Sequence, residues 1–238
     1  MLLFLPRPGI AVLTAMLAAL AGAEWGRLCK LKFAWLYGVL VSALYAVVLH
    51  MSWEEAAFVV AGVFWILIVP LWLWRGVSAA DVQELIPAGF LVIVPAALAM
   101  AALRPQELLG VLVLVWVADS AAYFVGRAFG RHKLAPSISP GKTWEGAAAG
   151  VVGALAYAII CATLIEGTSW VPYLAAAALL AVLSIIGDLF ESAAKRQAGV
   201  KDSGTLLPGH GGILDRIDSA ASTLPLAALL FPLIKANL

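Results

Sequence analysis

Charged residues and glycines concentrate near the C-terminal end of an otherwise apolar chain. The stretch KDSGTLLPGHGGILDRIDS, residues 201–219, contains three aspartates, one lysine, one arginine, one histidine and four glycines. Carboxylate oxygens are the ligands that Mg²⁺ prefers, and Mg²⁺ is commonly held by one or two carboxylates together with substrate phosphate. Glycines let a backbone approach phosphate closely, with its N–H groups directed at the anion. These residue types therefore indicate a site for a metal ion and a phosphorylated substrate.

Carboxylates also occupy one face of each of the two helices that this stretch connects. Asp188 and Glu191 are at i and i+3 before it, and Asp215 and Asp218 have the same spacing at its end. Residues at i and i+3 share a helical face, so the four carboxylates could converge on a hard cation. The basic residues that would surround the bound anion are Lys195, Arg196, Lys201 and Arg216. The alternative is that the acids pair with neighbouring bases and only hold the helices together.

The glycine-rich part of the stretch, PGHGGI at residues 208–213, has two interpretations. Its glycines form a turn that lets the last helix begin, or Gly211 and Gly212 bring backbone N–H groups against phosphate at the start of that helix. Both can hold together, because a turn of this kind can also bind an anion. His210 is expected either to contact phosphate or to have a structural role, and we do not assign it as a general base.

A second polar segment, SISPGKTWEG at residues 137–146, raises the question of a P-loop. The P-loop pattern G-x-x-x-x-G-K-[ST] needs glycine where this chain has Pro136, and it follows a strand where this chain has an apolar helix, so that interpretation fails. Lys142 and Thr143 remain candidates for phosphate or metal contact, together with Glu145 in the next helix. The alternative assigns Lys142 to a membrane-surface anchor and Thr143 to a helix N-cap.

The elements that must position these residues are transmembrane helices. The chain has 238 residues, is 63% hydrophobic and 12% charged, and has a mean hydropathy of +1.00. Apolar runs long enough to cross about 30 Å of hydrocarbon recur along it. We therefore predict an all-α, polytopic integral membrane protein with about eight transmembrane helices. The predicted spans are 9–24, 33–50, 56–74, 85–103, 107–126, 144–165, 171–190 and 213–234.

The distribution of basic residues predicts the orientation of these spans. Lys and Arg are concentrated in every other loop, whereas the intervening loops contain one basic residue, Arg104. Under the positive-inside rule the basic loops face the cytoplasm, which puts the two polar segments on the cytoplasmic side of the plasma membrane. We divide the chain into N-terminal transmembrane helices, residues 1–106, and a C-terminal transmembrane catalytic region, residues 107–238, with a cytoplasmic-side active site. No basic stripe is present, so nucleic-acid binding is not expected.

Extended back to Ser192, the opening stretch becomes SAAKRQAGVKDSGTLLPGHGGILDRIDS. It resembles the signature of the phosphatidate cytidylyltransferase (CDP-diacylglycerol synthase) family, S-x-x-K-R-x-x-x-x-K-D-x-(small)-x-x-(apolar)-P-G-H-G-G-(apolar)-x-D-R-x-D. The upstream segment DSAAYFVGRAFGRHKLAPSISPGKTWEG is similar to a second segment of that family, and GDLFES supplies a further expected acid. The resemblance covers residues 110–225 well and the N-terminal half only loosely, through AEW at residues 23–25.

The resemblance implies transfer of CMP from CTP to phosphatidate, giving CDP-diacylglycerol and pyrophosphate. It implies Mg²⁺ held by Asp188 and Asp215, with Asp218 as a third or second-site ligand, and a second cation such as K⁺ could share these acids. The residues expected to act on phosphate are Lys142, Lys195, Arg196, Lys201, Arg216 and His210. The residues expected to contact substrate are Ser192, Asp202, Gly211, Gly212, Thr143, Glu145 and Asp119.

Three alternatives remain open at this point. The first two are a CTP-dependent lipid kinase of the polyprenol type, which would leave CDP as its product, and a cytidylyltransferase for ether lipids. The third is a cation transporter that uses the intramembrane acids as its pathway. Transporters place such acids near the midplane and are built from repeated halves, whereas these acids cluster at the predicted helix ends and no half-repeat is visible. Small residues along several spans allow a homodimer without requiring one.

Overall fold

The computed structural model describes residues 7–76, 79–165, 169–204 and 211–236. Helices dominate it, because in hydrocarbon every backbone N–H and C=O group needs a partner within the protein. The helices are α1 (Arg7–Leu28), α2 (Ala34–His50), α3 (Glu54–Val63), α4 (Val69–Arg75), α5 (Leu85–Ala102), α6 (Pro105–Phe129), α7 (Trp144–Leu164), α8 (Trp170–Ala198) and α9 (Leu214–Ala236). A π-helical turn, Phe64–Ile68, joins α3 to α4, and a 3-10 turn, Ala79–Glu84, precedes α5.

The predicted all-α, polytopic membrane fold is confirmed. Seven helical segments of the described chain are long and apolar enough to cross a membrane. They are Pro8–Leu28, Glu54–Arg75, Val82–Ala102, Pro105–Phe129, Trp144–Leu164, Trp170–Ala198 and Leu214–Ile234. The remaining predicted span, 33–50, corresponds to α2, which is apolar but has only 17 residues. The predicted count of eight is therefore approximate.

Helix α8 extends well beyond the predicted end of its span, to Ala198. Its last turn contains polar residues that a hydropathy pattern assigns to a loop, and the helix ends at Gly199, which has a left-handed φ of 76°. Glycine is the residue that adopts this conformation most readily at a helix C-terminus. As a result Lys195 lies on the same continuous helix as Asp188, as their spacing predicted.

An aromatic cluster joins the N-terminal helices to the C-terminal ones. The ring of Phe190 in α8 lies 6.2 Å from that of Trp25 in α1, 5.5 Å from Trp65 and 5.3 Å from Trp72. Helix α5 packs against both α1 and α9. Helices on both sides of the proposed boundary after residue 106 therefore share one core, and the division into two regions stays a prediction.

The loop after α6 contains an element that the all-α prediction did not include. Two short antiparallel strands, β1 (Lys133–Ala135) and β2 (Ser139–Thr143), form a hairpin there. The turn between the strands buries Ile138, which is 3% exposed. Since β2 leads directly into α7, the hairpin fixes Lys142 at the entrance to that helix.

Replacement of Gly38 by alanine is expected to weaken the packing of α2 on α1. A methyl group on Gly38 would overlap the carbonyl oxygen of Ala19 and lie 2.9 Å from the backbone nitrogen of Ala23. Backbone atoms cannot move aside as a flexible side chain can, so the overpacking should cost about 1–3 kcal/mol and lower the Tm measured in detergent. Gly62→Ala is the matched control, because a methyl group there meets no atom within 4 Å. Equal Tm values for the two variants would contradict this packing.

Candidate active site

A polar cavity of about 740 Å³ opens between the C-terminal half of α6, the hairpin, the start of α7, the end of α8 and the start of α9. Its volume is in the range typical of small-molecule sites. The ionisable residues that line it are Asp119, Asp188, Asp215, Asp218, Arg127, Lys133 and Lys142. Since charged groups inside a helical membrane bundle mark functional sites, this cavity is the candidate active site.

Three carboxylates that line the cavity interact with one lysine. The ammonium group of Lys142 forms an ion pair with Asp188, and both side chains are partly exposed to the cavity. Asp119 and Asp218 each interact electrostatically with Asp188 and with Lys142. One carboxylate oxygen of Asp218 accepts a 2.7 Å hydrogen bond from the N–H of Ser219. The excess of negative charge in this cluster favours a bound cation, as a metal site requires.

Asp215 lies at the edge of the same cavity but is bound by donors of the protein. Its Oδ1 is 2.8 Å from the Nζ of Lys195. Its Oδ2 accepts hydrogen bonds from the hydroxyl of Ser203 at 2.9 Å, the N–H of Ser203 at 3.1 Å and the N–H of Gly212 at 2.8 Å. These contacts tie the two described ends of the signature loop, residues 199–213, to α9. The role of Asp215 as a metal ligand stays a prediction.

Lys195 also belongs to this ion-pair network, and its side chain is 14% exposed. Its ammonium group contacts Glu191 as well as Asp215, so its positive charge is shared between two carboxylates. It does not line the cavity. Phosphate neutralisation by Lys195 stays a prediction, and the observed contacts indicate that it also stabilises the end of α8.

The structure brings together only part of the predicted site. The predicted residues that line the cavity are Asp119, Lys142, Thr143, Asp188, Asp215 and Asp218. The predicted residues that lie outside its lining are Glu145, Ser192, Lys195, Arg196, Lys201, Asp202, Gly211, Gly212 and Arg216. Among these, Ser192 donates a 3.4 Å hydrogen bond to Asp188, and the Nε of Arg196 donates one of 3.4 Å to the carbonyl of Ile138 in the hairpin. His210 lies outside the described residues.

The hairpin is anchored to α7 by Thr143 and Glu145. The hydroxyl of Thr143 accepts a 3.2 Å hydrogen bond from the N–H of Gly146, which makes it the N-cap of α7. Glu145 contacts the imidazole of His132 at 2.6 Å and accepts hydrogen bonds of 3.2 Å from the N–H groups of Arg131 and His132. Glu145 therefore supports the hairpin that presents Lys142.

We expect Glu145→Ala to raise the KM for a phosphate-bearing substrate more than it lowers kcat. The variant removes three contacts that fix the start of the hairpin, and a loss of about 1.4 kcal/mol in positioning corresponds to about a tenfold change. His132→Ala removes only the side-chain contact and should have a smaller effect. Steady-state kinetics of the two variants test this order, and an unchanged KM in Glu145→Ala would contradict it.

Five polar residues of the cavity lining were not predicted as site residues. They are Tyr123, Arg127, Lys133, Ser139 and Ser219. The guanidinium of Arg127 donates a 2.9 Å hydrogen bond to the hydroxyl of Tyr123. The sequence spacing could have identified Tyr123 and Arg127. They follow Asp119 at intervals of four residues, so all three share one face of α6. No spacing rule could place Lys133 there, since its position depends on the hairpin.

Comparison with protein families decides what kind of protein carries this cavity. The sequence model described as the cytidylyltransferase family matches residues 1–234. The chain belongs to the cytidylyltransferase family. The resemblance predicted from the two polar segments is thereby confirmed, and the match extends through the N-terminal helices.

Several curated members of the family are similar to this chain. The phosphatidate cytidylyltransferase of Pseudomonas aeruginosa is 38% identical over 238 residues, which covers 92% of this chain and 86% of the relative. That of Brucella suis is 42% identical over 222 residues, covering 87% of this chain and 77% of the relative. That of Haemophilus influenzae is 50% identical over 123 residues, covering 50% of this chain and 43% of the relative.

The donor set of this cytidylyltransferase-family site fits a Mg²⁺ ion that is shared with a phosphate. The described part of the chain contains no group of three His, Cys, Asp or Glu side chains arranged to hold a metal by themselves. Mg²⁺ does not require such a group, because one or two carboxylates and substrate phosphate oxygens are its usual ligands. Asp188 and Asp218 face the cavity and interact with each other, so they meet this requirement.

Proposed function

We propose that the protein transfers CMP from CTP to phosphatidate, giving CDP-diacylglycerol and pyrophosphate. The observation that carries the proposal is the cavity, where acidic and basic side chains meet at one end of a bundle of membrane helices. A membrane-embedded site that holds anionic groups suits a reaction between a lipid phosphate and a water-soluble triphosphate. Membership of the cytidylyltransferase family supports the same reaction, and the curated relatives are named for it.

The reaction needs charge neutralisation more than it needs a base. An oxygen of the lipid phosphate attacks the α-phosphorus of CTP, and the bond from that phosphorus to the oxygen bridging the β-phosphate breaks, so that pyrophosphate leaves. The attacking phosphate is already an anion near neutral pH. The site therefore has to hold two anions together and in line, and positively charged groups lower the cost of doing so. Arg127, Lys133 and Lys142 are the cavity-lining residues with that charge.

Mg²⁺ is part of the proposal, with K⁺ as a candidate second cation. Asp188 and Asp218 would hold Mg²⁺, and Asp119 faces them across the same cavity. When bound, Mg²⁺ would supply positive charge next to the triphosphate. Asp215, at the edge of the cavity, remains a candidate third ligand, and its contacts with Ser203 and Gly212 also hold the two described ends of the signature loop.

The placement of the protein in the cell is also a proposal. The positive-inside pattern supports a plasma-membrane protein whose cavity opens to the cytoplasm, where CTP is available. The lipid would enter sideways from the bilayer. A homodimer is compatible with the proposal, which does not depend on it.

A comparison of lipid acceptors tests the proposed function. Purified protein in detergent is supplied with CTP, Mg²⁺ and one acceptor at a time, namely phosphatidate, an ether-linked lipid phosphate or a polyprenol. We expect pyrophosphate release that depends on phosphatidate and no CDP. Preference for the ether-linked lipid would overturn the assigned substrate, and CDP release with the polyprenol would identify a kinase.

A further inference from the structure

Glu24 is a buried carboxylate that the proposed reaction does not use. It lies in α1, is 0% exposed, and does not line the cavity. Its Oε2 accepts a 2.9 Å hydrogen bond from the N–H of Leu214, 190 residues away in sequence. Within the described chain, its Oε1 has no hydrogen-bond partner. Burial of a carboxylate with so few donors is costly, so packing of α1 alone does not account for this residue.

The contact with Leu214 places Glu24 at the N-terminus of α9. Leu214 is the first residue of that helix, and a negative charge at a helix N-terminus is favourable. Asp215 and Asp218 follow within the next turn, and both line the cavity. Any shift in the start of α9 would therefore move both carboxylates relative to the substrates.

Two glycines of the signature loop lie directly against the carboxylate of Glu24. A Cβ atom on Gly204 would be 2.7 Å from Oε1 and 3.0 Å from Cδ of Glu24. A Cβ atom on Gly212 would be 2.5 Å from Oε2 and would also overlap the hydroxyl oxygen of Ser203. At residues 204 and 212, on either side of residues 205–210, the backbone therefore lies so close to the Glu24 carboxylate that only glycine leaves room for it.

The segment of α1 around Glu24 is held firmly in place. The adjacent Trp25 is 1% exposed, and its indole N–H donates a 2.7 Å hydrogen bond to the carbonyl of Leu85 in α5. Its ring stacks on that of Phe190 in α8, with centroids 6.2 Å apart. The contacts of Trp25 with α5 and α8 therefore fix the part of α1 that carries the Glu24 carboxylate.

We propose that Glu24 is a positioning residue that holds the two described ends of the signature loop and the start of α9 in the arrangement needed for CMP transfer. The proposal rests on the proposed function, and it extends the working site to the first membrane helix. Glu24 does not line the cavity, so its effect passes through Leu214, Gly204 and Gly212 to the carboxylates of α9.

The first test compares Glu24→Ala and Glu24→Gln with the unmodified protein. Displacement of catalytic groups by about 1 Å can cost about 10²-fold in rate, so we expect Glu24→Ala to lower kcat by about that factor. We expect its KM for CTP to change by less than about threefold, because the groups that bind the nucleotide remain. Glu24→Gln keeps an oxygen that can accept from Leu214, so it should recover most of the activity. An unchanged kcat in Glu24→Ala would overturn the proposal.

Thr14→Val is the matched control for general damage to α1. Thr14 is also fully buried in α1, and its hydroxyl lies 2.7 Å from that of Tyr45 in α2, away from the signature loop. This variant should lower the Tm while keeping kcat per folded molecule. A similar loss of kcat in Thr14→Val would show that Glu24 matters only for stability and would overturn the proposal.

A double-mutant cycle between Glu24 and Gly204 tests the contact itself. Gly204→Ala alone should lower kcat, because the nearest atoms to its methyl group all belong to Glu24. Glu24→Ala removes those atoms, so the double variant should be no slower than Glu24→Ala alone. Losses that multiply would overturn the proposal. If Glu24→Ala does not fold, Gly204→Ala still tests the contact, with Gly62→Ala as its control, and an unchanged kcat there would contradict it.

Different results would contradict the proposed function and the proposed role of Glu24. If the unmodified protein moves no CMP to phosphatidate, the proposed function is wrong whatever the Glu24 variants do. If it does so and all Glu24 and Gly204 variants match it, the proposed function stands and the role of Glu24 is wrong.

Discussion

Lys142→Met is expected to lower kcat/KM for CMP transfer by about 10²–10³-fold, the range found when one preorganised charge-stabilising donor is removed. Lys142 is the lysine that interacts with the three cavity carboxylates, and its ammonium group pairs with Asp188. Without it, a triphosphate would meet Asp119, Asp188 and Asp218 with one positive charge fewer. Both members of the pair are partly exposed to the cavity, so the Tm should change little. Steady-state kinetics and a Tm measurement on the same preparation check both parts.

The control for Lys142→Met is Lys32→Met. Lys32 is an exposed lysine in the loop after α1, and it does not line the cavity. Lys32→Met removes the same charge and introduces the same side chain as Lys142→Met. Because Lys32 lies outside the cavity lining, this variant should keep the activity of the unmodified protein. Retention of more than half of the activity by Lys142→Met, or an equal loss in both variants, would contradict the role of Lys142 at the substrate phosphates.

Asp215→Asn should lose both stability and activity. The carboxylate of Asp215 takes donors from Lys195, Ser203 and Gly212, and its side chain is 14% exposed. An amide offers one acceptor oxygen in place of two and leaves Lys195 with less compensation. Removal of one partner from a fully buried ion pair costs about 3–5 kcal/mol; this pair is partly buried and Lys195 keeps Glu191, so we expect a smaller but clear fall in Tm. Activity should fall with it, because the same bonds hold the loop beside the cavity.

Two further variants are controls for Asp215→Asn. Glu55→Gln makes the same chemical change at an exposed position in the first turn of α3, and it should leave Tm and activity unchanged. Asp188→Asn acts on a more exposed cavity residue, so it should lose activity with little loss of Tm. If Asp215→Asn keeps the Tm of the unmodified protein, the loop-holding role of Asp215 is wrong.

The sequence was sufficient to predict the helices, but not the hairpin or all of the contacts that the helices make. Hydropathy located the helices, and the i, i+3 spacing placed Asp188 and Glu191 on one face of α8. Spacing along a helix cannot show which neighbouring group a side chain meets. Asp188 meets Lys142 from the hairpin, whereas Glu191 meets Lys195 on its own helix.

The features that escaped prediction depend on contacts between distant segments. The ion pairs of Lys195 were not predicted, and its 14% exposure reflects the two carboxylates that reach it from α8 and α9. The contact between Glu24 and Leu214 joins residues 190 positions apart, and no local pattern encodes it. The strands at Lys133–Ala135 and Ser139–Thr143 are too short for an alternating pattern to identify.

The fate of the phosphorus atoms of CTP tests CMP transfer to phosphatidate most directly. Purified protein in detergent receives phosphatidate, Mg²⁺ and CTP labelled either at the α-phosphate or at the γ-phosphate. We predict that the α-label enters the lipid, that the γ-label appears in pyrophosphate, and that Lys142→Met slows both by about 10²–10³-fold while remaining folded. Entry of the γ-label into a lipid, with CDP as the other product, would contradict cytidylyl transfer.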